Sequence, residues 1–491
     1  MMLRALLTIG GIQLITMLVL FGRTKTLAVV LGPEFVGVMA VIDKLLALIA
    51  QTVSLSLPFA AVRFLPERWI AGPSEFRDLF TRMRNLLLAL ILAATVGALL
   101  VSVFRPITWG VALLPYRDAI TVSTLSLPVI VLIPFLQNAI AGRLQHNRSM
   151  VVGFLHAIIL AIGVLGIWWG GLSGYYAVYA VLGSILVVGV TRLAIKGTAA
   201  RANTATAQRR FAFGLPAAIW RFSGALLILT VVAPYAALFV HYRLLSDYGA
   251  ETAGWMQAAI GISLSVRGVL GSAHAVFLTP NVNRGGGSPN DLMEWADRFQ
   301  ITLCLIAGLA VPPLLLFPGL AIEIVYSSAF SPGATFVMVF VVAEVVGLLS
   351  GTYQSLMLPL DHMRFHVAFN LVAQFFVVLA AYHLIGPLGI LGAGLAILIA
   401  PMFMFAATMV FLNCSYGLRM PRRIVARSGW LLVSLVATGL IGALFQGTIW
   451  ESLLLKLGTY AIVVGGFALL LTGHERERVR EILEGWRARW T

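Results

Sequence analysis

Charged residues are scarce in this chain of 491 residues. Asp, Glu, Lys and Arg together make up 11% of it, whereas hydrophobic residues make up 60%. Soluble domains carry about 25% charged residues, so this composition excludes a soluble globular protein. The chain has only two cysteines, Cys304 and Cys414, both in or near apolar segments. Their number and separation argue against a disulfide framework or a metal cluster.

The sequence also lacks a Gly-x-x-x-x-Gly-Lys-Ser/Thr loop. ATP hydrolysis through a loop of that type is therefore excluded. Two repeated histidines, His146 and His362, lie in short basic turns without a second ligand at metal-binding spacing. We expect neither a metal nor a cofactor.

Long apolar runs fill most of the chain. A hydrocarbon core about 30 Å thick needs roughly 20 apolar residues in helical form. Fourteen segments meet this requirement, near 3–30, 35–62, 83–104, 119–142, 149–169, 174–195, 212–241, 255–278, 298–318, 333–357, 366–384, 388–413, 429–446 and 453–472. The sequence therefore predicts an all-α polytopic membrane protein with about 14 transmembrane helices.

The net charge of +15 arises from 34 Lys and Arg residues against 19 Asp and Glu residues. If the N-terminus is cytoplasmic, most of these basic residues fall in cytoplasmic segments, as the positive-inside rule requires. An even number of spans then places both termini in the cytoplasm. The positive charge thus orients the helices, so we expect a multi-pass protein of the cell (inner) membrane and no nucleic-acid partner.

Two short stretches recur at nearly one spacing. Leu31–Gly37 (LGPEFVG) recurs as Tyr248–Gly254 (YGAETAG), 217 positions later. Leu144–Arg148 (LQHNR) recurs as Leu360–Arg364 (LDHMR), 216 positions later. Two matches at nearly one offset indicate a duplicated membrane half. Many secondary transporters build a substrate site between such halves.

The repeat divides the chain into two lobes and the segments that link or follow them. We predict an N-terminal six-helix lobe (1–195), a cytoplasmic linker (196–210), a second six-helix lobe (211–413), two additional helices (414–472) and an amphipathic cytoplasmic tail (473–491). Because each lobe has an even number of spans, a pseudo-twofold axis along the membrane normal should relate the lobes. The tail alternates apolar residues with arginines at helical spacing, which suits a helix at lipid headgroups or one docked on a partner.

The most specific motifs lie between Arg23 and Glu67. Arg23 ends the first span, a turn with Leu31, Gly32 and Gly37 follows, and Arg63-x-x-Pro66-Glu67 ends the second span. This segment resembles the opening hairpin of the polysaccharide and oligosaccharide flippases in the multidrug/oligosaccharidyl-lipid/polysaccharide exporter superfamily. The second half is similar as well. Gly214-Leu215-Pro216 opens the seventh span, a turn at Gly249–Gly254 follows it, and Pro280 closes the eighth.

The resemblance implies a fourteen-helix carrier with two six-helix lobes and an alternating-access cavity. Its implied cargo is a polyprenyl-diphosphate-linked oligosaccharide, moved from the cytoplasmic to the outer leaflet. The sequence departs from exact symmetry in one respect, because the eighth span has no proline that matches Pro58 of the second.

Basic groups inside the membrane are the candidate cargo contacts, because a diphosphate is an anion and arginine binds phosphate oxygens bidentately. The candidates are Arg23, Lys44, Gln51, Arg221 and Arg267. Arg267 lies about 18 Å into its span and matches Gln51 in the repeat. It contacts cargo or forms an ion pair within its lobe. Arg221 matches Arg4, near the cytoplasmic mouth, where it is either an interfacial anchor or a headgroup contact.

Asp43 and Glu344 are the candidate ion-coupling residues. Asp43 neutralises a neighbouring base or binds a coupling cation. Glu344 is isolated in the tenth span, where it carries a proton or pairs with one of the arginines. No catalytic residue is predicted.

These features predict a flippase driven by an ion gradient or the membrane potential, not an enzyme. A lipid II flippase or a cation-coupled multidrug antiporter is the alternative, and acidic residues would prevail in the cavity of the antiporter. A membrane glycan polymerase or ligase is disfavoured, because the external loops are short and poor in ionisable groups. The expected partners are a lipid-linked anionic glycan, membrane lipids and other polysaccharide-assembly proteins, with the protein itself monomeric.

Overall fold

The computed structural model describes residues 2–105, 110–143, 145–196, 214–273, 288–357, 359–445 and 449–470. The described residues are helical almost throughout, without a β-strand among them. The α-helices are α1 (Met2–Ser54), α2 (Leu57–Ala71), α3 (Pro73–Phe104), α4 (Arg117–Thr124), α5 (Leu127–Gly142), α6 (His146–Gly163), α7 (Ile167–Ile195), α8 (Ala217–Tyr248), α9 (Ala250–Ala273), α10 (Pro289–Leu316), α11 (Pro318–Val325), α12 (Val337–Gln354), α13 (Met363–Tyr416), α14 (Arg422–Leu444) and α15 (Ile449–Leu470). Nearly all of the predicted linker, the whole tail and Pro280 lie outside the described residues.

Three long helices each contain a break at glycine. The backbone leaves the helical region at Gly32 in α1, at Gly170 and Gly171 in α7, and at Gly389 in α13. Three of these glycines have a positive φ, which residues with a Cβ rarely adopt: 72° at Gly32 and 55° at both Gly171 and Gly389. The 54 residues of α13 would extend about 80 Å if straight, far more than a bilayer core. α1 and α13 therefore each comprise two spans, and the break near the start of α7 separates the span of α6 from the span of α7.

Close backbone contacts show that the chain reverses at two of these breaks. A Cβ at Gly166 would overlap the carbonyl oxygen of Gly174, and a Cβ at Gly174 would overlap that of Gly166. A Cβ at Gly392 would likewise overlap the carbonyl oxygen of Leu384. Residues eight apart in a straight helix are about 12 Å apart, so such contacts require a helical hairpin.

The prediction of about 14 spans is confirmed. Among the described residues, nine helical segments are long and apolar enough to cross a membrane, and α4 with α5 forms a tenth as a pair bent by 44°. Three of the nine contain the glycine breaks and supply two spans each. The more polar α9, with 24 residues, is long enough to be the remaining span. The chain is thus an all-α, multi-pass membrane protein.

The repeat extends to backbone torsion angles. Gly32 has φ 72° and ψ 179°, and its counterpart Gly249 has φ 86° and ψ 173°. Gly171 has φ 55° and ψ −137°, and Gly389, 218 positions later, has φ 55° and ψ −128°. Equivalent glycines therefore form the same type of turn in both copies.

The chain forms two compact units. Unit 1 comprises Met1–Gln257 with Val325–Ala329, and unit 2 comprises Ala258–Ile324 with Phe330–Thr491. In unit 1, α8 and the start of α9 pack with α1–α7, and a continuous apolar core runs from Leu27 to Ala253. In unit 2, α10 packs on α14 and α12 packs on α13. The lobe boundaries that the repeat suggests remain a prediction, because packing and duplication are different criteria.

Within unit 1, the repeated turns contact each other. A Cβ at Gly37 would overlap the carbonyl oxygen of Ala250, and a Cβ at Gly254 would overlap that of Pro33. Ala250 and Gly254 are the counterparts of Pro33 and Gly37 at the offset of 217. This reciprocal crossing of α1 and α9 requires residues without a side chain at both glycine positions.

Candidate functional site

Arg23 is held by a tyrosine of another span. Its Nε and Nη2 atoms both donate to the hydroxyl oxygen of Tyr175 on α7, at 3.0 and 2.6 Å. The Tyr175 side chain is 1% exposed, whereas Arg23 is half-buried. A buried phenol that accepts two hydrogen bonds fixes the plane of the guanidinium group.

Asp43 is bound by the next residue along α7. The hydroxyl of Tyr176, itself 2% exposed, donates to Oδ1 of Asp43 at 2.7 Å. Asp43 is accessible to solvent although many protein atoms surround it. A carboxylate is costly against lipid, so we expect the exposed surface of Asp43 to face a polar interior.

These contacts also show how the first two spans are arranged. Arg23 and Asp43 would be about 30 Å apart on a straight helix, yet they bind adjacent residues of α7. The chain must therefore reverse at Gly32, which lies nine residues after Arg23 and eleven before Asp43. The reversal brings both charges to nearly the same depth.

Lys44 adds a second positive charge to this cluster. Asp43 interacts electrostatically with Arg23 and with Lys44, and Lys44 in turn acts on the buried His241 of α8. We call Arg23, Asp43, Lys44, Tyr175 and Tyr176 the α1–α7 cluster. Two basic groups against one acid give it a net positive charge.

Two histidines lie around the cluster. The Nε2 atom of His156 is 2.9 Å from the hydroxyl of Tyr179, one turn beyond Tyr175 on α7. Nδ1 of His241 is 2.8 Å from the carbonyl oxygen of Ala237, and Nε2 is 3.3 Å from Oε1 of Gln257. All of these groups belong to unit 1.

Arg267 and Glu344 form an ion pair in unit 2. Nη1 of Arg267 on α9 is 3.4 Å from Oε2 of Glu344 on α12. The interpretation that Glu344 pairs with an arginine is thereby confirmed. The arginine side chain is 64% exposed and the glutamate side chain only 17%. Much of the guanidinium surface therefore stays accessible, and its role in cargo binding remains a prediction.

The other two candidates lie elsewhere in unit 1. Gln51 is half-buried on the second half of α1, two turns after Lys44, and Arg221 is exposed on α8. Phe222, next to Arg221, packs edge-to-face on Phe64, and the guanidinium carbon of Arg63 lies 4.8 Å from the Phe222 ring centre. Arg63 and the residue next to Arg221 therefore meet where α2 contacts α8. Neither arginine belongs to the α1–α7 cluster.

The tyrosines and histidines of this site were not found from sequence. Attention to charge alone overlooks neutral hydrogen-bonding groups, and the partners of Arg23 and Asp43 lie more than 130 residues away. A usable signal was present in Tyr175-Tyr176-x-x-Tyr179, three phenols within an otherwise small and apolar span. Phenol hydroxyls need partners when buried, so such a group indicates a polar site.

No protein-family model and no curated protein matches this sequence. Solved structures do match. The lipid II flippase MurJ in an inward closed conformation has a TM-score of 0.69 and 10% identity, covering 94% of this chain and 97% of that chain. An inward-facing multidrug resistance MATE family transporter of the MOP superfamily has a TM-score of 0.62 and 17% identity, covering 84% and 94%. An outward-facing one has a TM-score of 0.57 and 16% identity, covering 87% and 96%.

Identities this low establish the fold and leave the cargo open. The chain has the fold of MOP superfamily transporters, the superfamily that the opening hairpin resembles. The narrower resemblance to polysaccharide flippases enters only as part of a proposed function.

Proposed function

We propose that the protein is a flippase that moves a polyprenyl-diphosphate-linked oligosaccharide from the cytoplasmic to the outer leaflet by alternating access. The observation that carries this proposal is the α1–α7 cluster, in which Tyr175 anchors Arg23 while Asp43 interacts electrostatically with both Arg23 and Lys44. Ionisable groups inside a membrane protein are costly and usually mark a substrate path. A net positive cluster in a transporter fold suits an anionic cargo.

The cationic groups supply the contacts that a diphosphate needs. A guanidinium with one edge fixed can offer its other edge to two phosphate oxygens, and an ammonium adds a point charge. In this proposal Arg23 and Lys44 hold the diphosphate, with Gln51, Arg221 and Arg267 along the path. Asp43 and Glu344 are the candidate ion-coupling groups.

The membrane potential can drive such a cargo. An anion that moves outward across an inside-negative membrane gains about 2.3 kcal/mol per charge per 100 mV. Transport driven by this free energy would not need ATP hydrolysis. The proposal places the protein in the cell (inner) membrane with both termini cytoplasmic, and it includes no catalytic step.

A lipid II flippase is the second candidate. It is favoured by the structural similarity to MurJ, which extends over 94% of the chain. Lipid-linked precursors of both kinds present a diphosphate, so the α1–α7 cluster suits either. A multidrug antiporter is less compatible, because cationic drugs require acidic groups to prevail where basic groups prevail here.

Flipping in reconstituted vesicles tests the proposal. Vesicles carrying a polyprenyl-diphosphate disaccharide with a fluorescent sugar are exposed to a membrane-impermeant quencher, with and without protein. We expect Arg23→Ala and Lys44→Ala to slow flipping at least about tenfold, since charged hydrogen bonds contribute about 1.5–3 kcal/mol each.

Arg68→Ala is the matched control. Arg68 is an exposed arginine of unit 1, paired with Glu75 at 3.2 Å and remote in sequence from the cluster. It should flip substrate at the parental rate. Equal rates for Arg23→Ala, Lys44→Ala and Arg68→Ala would refute cargo binding at the cluster. Sugar-chain extension by the purified protein would instead indicate a glycan polymerase.

A further inference from the structure

Two adjacent tyrosines each bind one member of an oppositely charged pair. Tyr175 accepts from Arg23 and Tyr176 donates to Asp43. Their rings pack edge-to-face, with centres 5.2 Å apart and planes at 77°. Both side chains are almost completely buried, so their hydroxyl positions are fixed by the core of unit 1.

Arg23 and Asp43 are near enough to interact electrostatically. Within the described part of the chain, however, their hydrogen bonds go to the two tyrosines and not to each other. A bidentate contact between guanidinium and carboxylate is the strongest pairing open to these groups. Tyr175 occupies the Nε–Nη2 edge of the guanidinium group, and Tyr176 occupies Oδ1, one of the two oxygens that such a contact would use.

We propose that Tyr175 and Tyr176 are positioning residues that prevent a direct Arg23–Asp43 ion pair and so keep the Arg23 guanidinium group open to a phosphate. This inference rests on the proposed function, because it concerns the same anionic cargo. Tyr175 accepts hydrogen bonds from Nε and Nη2 of Arg23. In this proposal the other edge of the guanidinium group, at Nη1, binds the phosphate. Tyr176 holds the carboxylate that would otherwise compete with phosphate for that edge.

The inference gives Asp43 a second role. While Tyr176 holds it, the carboxylate stays near Arg23 without neutralising it through direct contact. Released from Tyr176, it becomes an internal competitor of the cargo. Removal of the Tyr176 hydroxyl should therefore weaken phosphate binding although that hydroxyl contacts no phosphate.

Titration of the purified full-length protein with farnesyl diphosphate, a short prenyl diphosphate, tests this. Tyr176→Phe should bind about tenfold more weakly, because Asp43 is freed to pair with Arg23. Adding Asp43→Asn to Tyr176→Phe should restore binding, because the neutral amide no longer competes. A merely structural role for Tyr176 would not be rescued by a change at Asp43.

Tyr353→Phe is the matched control, since Tyr353 is a buried tyrosine of unit 2 whose hydroxyl likewise donates to a carboxylate, Oδ1 of Asp297, at 2.9 Å. It should bind as the parent does. Inorganic pyrophosphate should show the same ratio between Tyr176→Phe and parent as farnesyl diphosphate. A defect limited to farnesyl diphosphate would place the effect at the lipid and overturn the inference.

The outcomes separate the inference from the function on which it rests. If the parent protein does not bind farnesyl diphosphate, or if Arg23→Ala binds it normally, the proposed function fails. If binding depends on Arg23 but Tyr176→Phe binds like the parent, only the inference fails. If Tyr176→Phe does not fold, the Asp43→Asn variant alone provides the test. The inference requires this variant to bind farnesyl diphosphate as tightly as the parent or more tightly, and weaker binding would contradict it.

Discussion

At the scale of single residues, the charged groups of the membrane interior have different surroundings. Arg23 and Asp43 are bound by neutral phenols, whereas Arg267 and Glu344 bind each other. Sequence spacing identified all four as unusual, because ionisable groups within apolar helices are rare. Spacing could not identify their partners. Each contact joins two different helices, and the spacing of residues along the chain does not determine which helices pack together.

The Arg267–Glu344 pair allows its structural and functional roles to be separated. We expect Arg267→Ala to slow flipping, because the exposed guanidinium remains accessible to cargo beside its partner. The exchange Arg267→Glu with Glu344→Arg should recover the thermal stability lost in either single variant. It should not recover flipping, because the positive charge then lies at the less exposed position.

Thermal unfolding and vesicle flipping are measured for the parent, Arg267→Ala, Arg267→Glu, Glu344→Arg and the exchange variant. A half-exposed ion pair contributes about 1 kcal/mol or less, so the stability changes should be small. Recovery of flipping in the exchange variant would show that Arg267 acts only through its ion pair.

At the scale of helices, glycine determines where the long helices reverse and where they can touch. The fourteen spans were predictable because apolar length alone defines them. The breaks at Gly32, Gly171 and Gly389 follow from the positive φ angles that these positions adopt. The break at Leu55 and Ser56 and the bend between α4 and α5 come just before Pro58 and Pro128, because proline inside a span removes a backbone donor and kinks the helix.

The crossing of α1 and α9 gives a prediction at this scale. Gly37→Ala places a methyl group against the carbonyl of Ala250, so the helices must separate. We expect a loss of about 1–3 kcal/mol in stability, as in other overpacked contacts. Gly97→Ala on α3 is the control, because a Cβ there meets no atom within 4 Å.

Thermal unfolding in detergent compares the two variants. Gly97→Ala should unfold at or above the parental temperature, since alanine favours a helix over glycine. Equal unfolding temperatures for Gly37→Ala and the parent would mean that the crossing does not limit stability.

At the scale of the whole molecule, duplication and packing divide the chain differently. The repeat predicts lobes that end at 195 and begin again at 211, whereas the compact units divide between Gln257 and Ala258. Sequence repeats record ancestry, while compactness reflects which helices pack together in one conformation. This difference explains why the fold class was predictable but the grouping of α8 with α1–α7 was not.

Alternating access predicts that the two copies of the repeated turn separate during transport. Glu34 and Glu251, equivalent residues of the repeat, line one cavity of about 460 Å³ in unit 1. In a Cys414→Ser background, Glu34→Cys with Glu251→Cys can be joined by a short, cleavable bifunctional thiol reagent. We expect joining to stop flipping and reductive cleavage to restore it.

Each single-cysteine variant, treated with the same reagent, controls for modification at one position. Undiminished flipping by fully cross-linked protein would show that these turns stay together throughout the cycle. Serine at position 414 removes the exposed native thiol from the reaction.

The reciprocal contact of the repeated turns has a consequence for the origin of the chain. Gly37 meets Ala250 as Gly254 meets Pro33, so each copy of the turn presents the same surface to the other. In an assembly of separate subunits this would be an isologous interface, the kind that joins identical protomers about a twofold axis. A single-copy ancestor with this turn would thus already have carried the surface needed to pair with itself. Gene fusion would then need only to join two protomers of such a homodimer.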